Sequence, residues 1–520
     1  MSLAYGKASP LLWISLMRRI ICFFVLVIYC VSVVSGAPEP TNHIRDWRVE
    51  NEQLIVDRFV SLLSIPNVAL DTENIRRNAG HIMDMLDQAG MHTELLELDG
   101  ANPAIYAERL VEGADKTVLI YIHYDGQPVN PNDWASDPWS PVMRDDMVEN
   151  NGKEVPIKAP FNPEWRLFGR SAGDDKAPIV ALQSALMAMD AAGIALTVNL
   201  KVFLEGEEEA GSPNLRAMLE KHKDRLGADL WLFCDGPAHQ SRRWQLVYGV
   251  RGTYGFNLTV YGPNRPLHSG HYGNWAPNPI ALLTDLIGSM RDTNGNVYVD
   301  GFYDQFRPLS EAEQAAIANT PYMDDKLMAE MGIGRPETED RLEIAISRPA
   351  MNLRGISGGN VGGLARNAIQ PSASASIGLR LVPDLTPEHL RTVIEAHIRD
   401  QGYFISEDEP TAEERAEHGR VAKLEWSSSG GYPAYRASFD EPMALKISAI
   451  LNELSGGTLI QTPTMGGSLP IYIVGEVLDT PVLILPIANH DNNQHGANEN
   501  LRLQNLWDAI EIYAAVLTGL

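Results

Sequence analysis

Cysteine is nearly absent from this chain of 520 residues: of three, Cys22 and Cys30 lie in an N-terminal apolar segment, which leaves Cys234 alone in the remainder. A single thiol cannot close an intrachain bridge, so a disulfide-stapled fold is excluded. Cys234 closes the apolar run Leu230-Trp231-Leu232-Phe233, the setting of a buried free cysteine more than of a nucleophile. Basic charge is also scarce. Lys and Arg number 42 against 67 Asp and Glu, a formal net charge of −25, whereas nucleic acid and anionic membrane surfaces demand a basic face. Solenoid-type repeats are absent too. What is present is ordinary for a globular protein, 44% apolar and 21% charged, at a length that calls for two or three domains.

The N-terminus reads as a secretory leader. Lys7, Arg18 and Arg19 precede an apolar run over 20–34, and Ser35-Gly36-Ala37 then offer small residues before Pro38. The run is short for a membrane span. No small residue precedes Cys30, so it reads as leader sequence and not as a lipid-attachment site. Cleavage after residue 37 is expected to leave an exported protein, periplasmic or secreted, without a membrane partner. The mature chain would be three units more negative than the precursor, since 1–37 holds three basic residues and no acid.

Helical apolar spacing runs over 47–65 and 74–89, and 117–122 reads as a fully buried strand that stops at His123-Tyr124-Asp125-Gly126. The segment 127–165, rich in Pro, Asn, Asp and Trp, has no sustained period and reads as a long surface loop. Next comes the turn Gly169-Arg170-Ser171-Ala172-Gly173-Asp174-Asp175-Lys176, a helix over 178–192 stopped by Gly193, and a strand over 196–204. That strand breaks into Glu205-Gly206-Glu207-Glu208-Glu209. A helix over 214–226 and a strand over 228–233 lead to Asp235. Strands alternating with helices imply a mostly parallel α/β sheet, in which ligands bind beyond the carboxyl ends of the strands. His123, Glu208, Glu209 and Asp235 fall at such ends, and Asp174 lies in a turn at the same edge.

The pattern changes near Val250. Strands over 255–261 and 373–382, each followed by a helix (279–291 and 387–401), imply an inserted α+β domain over 248–435, which divides the catalytic domain into 38–247 and 436–520. The polar stretch 292–354 has no assigned packing. A helix over 442–454 and the buried run 481–486 return to the first style and lead to a segment carrying His490 and His495.

Four neighbouring carboxylates at Glu205, Glu207, Glu208 and Glu209 repel one another unless solvated or offset by a cation. Histidine nitrogen and carboxylate oxygen together suit zinc, and in His123-x-Asp125 the aspartate is placed to accept the other imidazole N–H. A strand-end His-x-Asp, an Asp-Asp turn, a Glu-Glu pair, a strand-end Asp and a late His, in that order, resemble the co-catalytic dizinc metallopeptidases. That family includes carnosinases, aminoacylases, acetylornithine deacetylase and glutamate carboxypeptidase, and the likeness covers nearly all of the mature chain, closest to the carnosinase-like dipeptidases. The resemblance implies that two zinc ions, with cobalt or manganese as alternatives, are held by His123, Asp174, Glu209, Asp235 and His495. By the same resemblance Asp174 bridges, Asp125 orients His123, Glu208 is the general base, and the Asp174-Asp175 peptide is cis.

The inserted segment resembles the family's ferredoxin-like lid and dimerisation domain. Leu267-His268-Ser269-Gly270 matches the motif whose histidine reaches a neighbouring subunit's active site, with His271 as a decoy; a homodimer is implied. Asn367, Arg380, Gly467 and Ser468 match substrate-carboxylate positions, and an arginine fork suits that task. Ala177, where many relatives have Gly, and Ser429, where carnosinases place a histidine, leave carnosine-type specificity open. His490 competes with His495, which the His-x-x-Asn-Glu pattern favours. Two other readings stand beside this one: a serine hydrolase through the G-x-S-x-G match at Ser171, and a binding protein that keeps the fold without the chemistry. The favoured expectation is a zinc-dependent exopeptidase acting on dipeptides or N-acyl amino acids with a free carboxylate.

Overall fold

The computed structural model describes residues 39–428 and 430–520. The expected leader, with Cys22 and Cys30, and Ser429 lie outside the described residues. In the first part of the chain six strands enter one sheet: β1 (His92–Leu96), β2 (Ala104–Arg109), β3 (Thr117–His123), β4 (Asn199–Glu205), β5 (Leu230–Phe233) and β6 (Gln245–Val247). β3 reads as a continuous apolar run because both its faces are covered. Val118, Ile120 and Ile122 join one core, while Leu119 and Tyr121 join another, the two-residue alternation of a pleated strand. Helices Glu39–Leu63, Ala177–Ala192 and Leu503–Gly519 pack together over the first face. On the second face Tyr121 stacks on Phe233, with ring centroids 3.9 Å apart, beside Phe203 and Trp231.

The chain then builds a second sheet from β7 (Gly252–Tyr261), β8 (Ala350–Ser357), β9 (Ser372–Leu381), β10 (Phe404–Ser406) and β11 (Val421–Trp426), ordered β8-β9-β7-β11-β10. Strict alternation of burial along β9 turns one face toward a separate core, to which helices Pro279–Met290 and Pro387–Asp400 contribute Leu283, Leu286, Leu390 and Ile394. Returning, the chain adds β12 (Ile460–Thr462) and β13 (Val482–Ile484) to the first sheet, whose full order is β1-β2-β4-β3-β5-β13-β6-β12. β4, β3, β5 and β13 are mutually parallel, so their carboxyl ends share one edge. Among the described residues no helix is long and apolar enough to cross a membrane.

Three expectations change. The loop over 127–165 contains Val142–Arg144 and Glu154–Val155, which pair with Arg166–Phe168 and Asn500–Arg502 in a four-stranded sheet; strands of two and three residues are too short to show a period. The helix over 214–226 divides at His222 into Leu215–Lys221 and Lys223–Leu226. The unassigned 292–354 forms helices Glu311–Asn319, Asp324–Met331 and Leu342–Ala345 and then edge strand β8. β8 is exposed along most of its length and so carries no apolar alternation.

The two sheets are joined where outgoing and returning segments pair, Gly249 with Arg436 and Val250 with Tyr435. A Cβ at Gly249 would overlap the carbonyl oxygen of Tyr435, which is backbone and cannot swing away. Gly249→Ala should therefore cost on the order of 1–3 kcal/mol, read as a lowered thermal unfolding midpoint. Gly80→Ala, in a helix with open space around its Cβ position, should leave the midpoint unchanged or higher.

Candidate metal centre

The parallel register sets His123 beside Glu205 and Tyr121 beside Phe233, so the residues just past β3, β4 and β5 converge. Asp174 reaches the same point from the turn before helix Ala177–Ala192, across a cis Asp174-Asp175 peptide, as the resemblance implies. His495 comes from the loop before the last helix, in the left-handed region at φ 61°.

Asp174 faces both ways. Its Oδ1 lies 2.8 Å from His123 Nε2, and its Oδ2 lies 3.2 Å from His495 Nε2. Asp235 Oδ2 stands 3.9 Å from His123 Nε2, and Glu209 Oε2 stands 3.2 Å from His495 Nε2. Two groups result, His123/Asp174/Asp235 and Asp174/Glu209/His495, each with its ligand atoms within 4.8 Å of one another. All five expected metal ligands are thus brought together, sharing one carboxylate. His490 is in neither group.

Asp125 ties two of the segments. Its Oδ1 lies 3.4 Å from His123 Nδ1, and its carboxylate accepts the backbone N–H groups of Glu208 (3.1 Å) and Glu209 (3.0 Å). The residue expected to orient the histidine also holds the Glu-Glu turn. Glu205 and Glu207 face inward as supports: Glu205 accepts the Tyr121 hydroxyl at 2.6 Å, and Glu207 accepts the backbone N–H of Asn102 at 3.2 Å.

Crowded carboxylates shape the electrostatics. Burial raises Asp235 to about 7, with the charges of Asp174 and Glu209 adding to it. Burial also pushes Glu208 well above the usual carboxylate range, helped by Asp235, Glu209 and Asp174. Hydrogen bonds to Asp174 and Glu209 raise His495 to about 10. The two carboxyls hold protons because burial and then neighbouring carboxylates disfavour their charged forms, and His495 holds one because two carboxylates accept from it. A pair of divalent cations would relieve the same crowding, and the nitrogen and oxygen donor set fits zinc. Gln127 and Gln494 add neutral donors, reaching Glu209 and Asp174 at 2.7 Å each.

A cleft of about 550 Å³ opens beside these groups, lined by Asp174, Glu208, Asp235 and His495 on one side and by Gly467 and Ser468 on the other. Arg380, from β9, donates to Ser468 Oγ at 2.9 Å. Glu208 makes no side-chain hydrogen bond within the described residues. His268 and Asn367 are placed apart from the cleft: both are exposed, on adjoining segments where the Ser269 N–H donates to the Asn367 carbonyl at 3.0 Å. His271 lies against His268, ring centroids 4.7 Å apart.

Ser171 is fully buried, and its Oγ accepts from Asn67 Nδ2 at 2.9 Å. No histidine bonds to it among the described residues, so the arrangement lacks the base a nucleophilic serine needs. Cys234 is likewise buried, its thiol pushed up to beyond any useful nucleophilic range by burial.

Sequence reasoning missed Glu499 as a functional support. Its carboxylate is fully buried and accepts from the backbone N–H groups of Ser171 (3.0 Å), Gly173 (2.9 Å) and Asp174 (2.9 Å), and from Arg170 Nη1 (2.7 Å). It therefore fixes the turn that presents Asp174. The only signal was its place in the His-x-x-Asn-Glu pattern. His239, which lines the cleft and approaches Glu343 at 3.8 Å, had no sequence signal.

A family model described as peptidase family M20/M25/M40 matches residues 119–519. The chain is 26% identical over 477 residues to a Cys-Gly metallodipeptidase of Schizosaccharomyces pombe, covering 88% of this chain and 94% of that one. It is 27% identical over 524 residues to human beta-Ala-His dipeptidase, covering 94% and 96%. Among solved structures, an M20 family metallo-carboxypeptidase from Sulfolobus solfataricus superposes with a TM-score of 0.70 at 24% identity, covering 89% of this chain and 98% of that one.

Glu499→Gln replaces an acceptor-only group by one with two donors and leaves Arg170 buried without its counter-charge. We expect a loss of about 3–5 kcal/mol, seen in thermal unfolding, together with a fall in bound metal measured by elemental analysis. Unchanged metal content and midpoint would contradict the role of Glu499.

Proposed function

Because this chain belongs to peptidase family M20/M25/M40 and is a hydrolase, we propose that it is a dizinc dipeptidase that cleaves small peptides with a free C-terminal carboxylate. The observation that carries the reading is the two-way placement of Asp174 between two histidine–carboxylate groups, at the floor of a cleft whose other wall carries Ser468 in contact with Arg380. The names of two relatives, a Cys-Gly metallodipeptidase and a beta-Ala-His dipeptidase, support dipeptides as the substrate class.

His123, Asp174 and Asp235 would hold one zinc ion, and Asp174, Glu209 and His495 the other. Zinc at such a site supplies Lewis acidity, which polarises a scissile carbonyl and makes water a nucleophile near neutral pH. The chain supplies the rest. Glu208, in the cleft and uncommitted, takes the proton of the attacking water and gives it to the leaving amine. Arg380 and the Gly467-Ser468 loop receive the substrate's carboxylate, which sets the distance from the chain end to the bond that is cut.

A homodimer through the second sheet completes this proposal. Its edge strand β8 exposes Leu353 and Ile356, and Val361 and Leu364 nearby are exposed as well. His268 and Asn367, outside the cleft of their own chain, are assigned to the cleft of the partner, where an imidazole stabilises developing negative charge on the carbonyl oxygen. The division into 38–247, 248–435 and 436–520 and export after removal of 1–37 belong to the same proposal, and N-terminal sequencing of the secreted protein checks the latter.

Chelation should abolish cleavage of a dipeptide panel, and zinc should restore it more fully than cobalt or manganese. Faster release from N-acetyl amino acids than from any dipeptide would favour a deacylase. Glu208→Gln should lower kcat by about 10²–10⁴-fold with metal content retained. Arg380→Gln should raise KM by about 10–100-fold, the worth of a hydrogen bond to a charged group, with a much smaller change in kcat.

A further inference from the structure

A second cavity, of about 370 Å³, adjoins the cleft and is separated from it by the segment around helix Leu342–Ala345. Leu342 and Ile346 line both spaces. The volume is in the range of sites for small ligands. Much of its wall is apolar: Leu327, Met328, Met331 and Ile333 come from helix Asp324–Met331 and the turn after it.

The charged groups in the wall are of two kinds. Arg348 is paired with Asp340 at 2.6 Å, and Glu337 with Arg291 at 2.9 Å. Arg251 and Asp324 are not so paired. Arg251 is 8% exposed, and among the described residues its side chain makes a single hydrogen bond, from Nη2 to the Arg348 carbonyl at 2.9 Å, and its Nε has no partner. No carboxylate forms an ion pair with it among the described residues. Asp324 uses Oδ2 to accept the Leu342 N–H at 3.0 Å, and its Oδ1 has no partner among the described residues. A buried guanidinium without a counter-charge is costly unless something of opposite charge meets it, and Asp324, half-buried in the same wall, keeps one carboxylate oxygen unused among the described residues.

We propose that this cavity is a binding site for a free α-amino acid with an apolar side chain. Its carboxylate meets Arg251, its ammonium meets Asp324, and its side chain lies among Leu327, Met328 and Ile333. A ligand with one charge alone would leave one wall group unmatched, and an apolar ligand would leave both. Amino acids of this kind are released when dipeptides are cleaved, so the identity of the supply rests on the peptidase reading, whereas the binding itself rests on the cavity alone. Because Leu342 and Ile346 face both spaces, an occupant touches the wall of the cleft, and any effect on substrate affinity must be matched by an equal effect of substrate on amino acid affinity.

The test is calorimetric titration of the zinc-loaded full chain with L-leucine. Leucine is expected to bind, with Asp324→Asn and Met328→Trp each weakening it about tenfold or more while dipeptide cleavage persists. Leucinamide and N-acetylleucine, each lacking one charge, should bind wild type about tenfold more weakly. The two variants fail differently, one by charge and one by filling space, and a thermal midpoint near wild type shows that each is folded. No binding up to about 10 mM, or equal binding by wild type and both variants, would overturn the site. Loss of peptidase activity alone bears on the proposed function and leaves this result separate.

Discussion

Everything near the strand ends answers to one constraint: the Asp174 carboxylate must face two histidines at once. Its two oxygens lie 2.8 Å from His123 and 3.2 Å from His495, so neither can turn without breaking one group. Glu499 holds the turn that carries Asp174 by three backbone N–H groups and Arg170. Asp125 holds the Glu-Glu turn in the same manner. Two carboxylates outside both candidate metal groups thereby fix carboxylates within them, and supports of this kind orient metal ligands.

The gathering of acids opposes folding in the metal-free chain. Carboxylates at Glu205, Glu208 and Asp235 are all pushed toward or past neutrality by burial first and, after it, by neighbouring carboxylates such as Asp125, Asp174 and Glu209. The stability that offsets this comes from elsewhere, from apolar β3, β4 and β5 covered on both faces. The rigid sheet carries the repulsion at its edge, where a bound cation converts the same repulsion into affinity.

Much of this was legible in the sequence, for a physical reason. Strands buried on both faces show as unbroken apolar runs, so a polar residue at the end of such a run is placed by chain order alone; His123, Glu208, Glu209 and Asp235 were readable in this way. The family resemblance added the roles of Asp174 and His495. Residues whose importance depends on a distant partner were not readable: Glu499 matters through Arg170, 329 positions away. Strand β8 was hidden because an exposed edge has no apolar period. His268 and Asn367 matched a motif, yet a single chain leaves them outside its own cleft; only the proposed homodimer would carry them to the cleft of a second copy.

The most direct measurement of the central claim is metal stoichiometry by elemental analysis after dialysis, in wild type, His495→Ala and Asp174→Ala. Two ions per chain, reduced to one by His495→Ala and to none by Asp174→Ala, is the result that a shared carboxylate predicts. Retention of one tightly bound ion in Asp174→Ala would contradict it, because the two groups would then be independent sites.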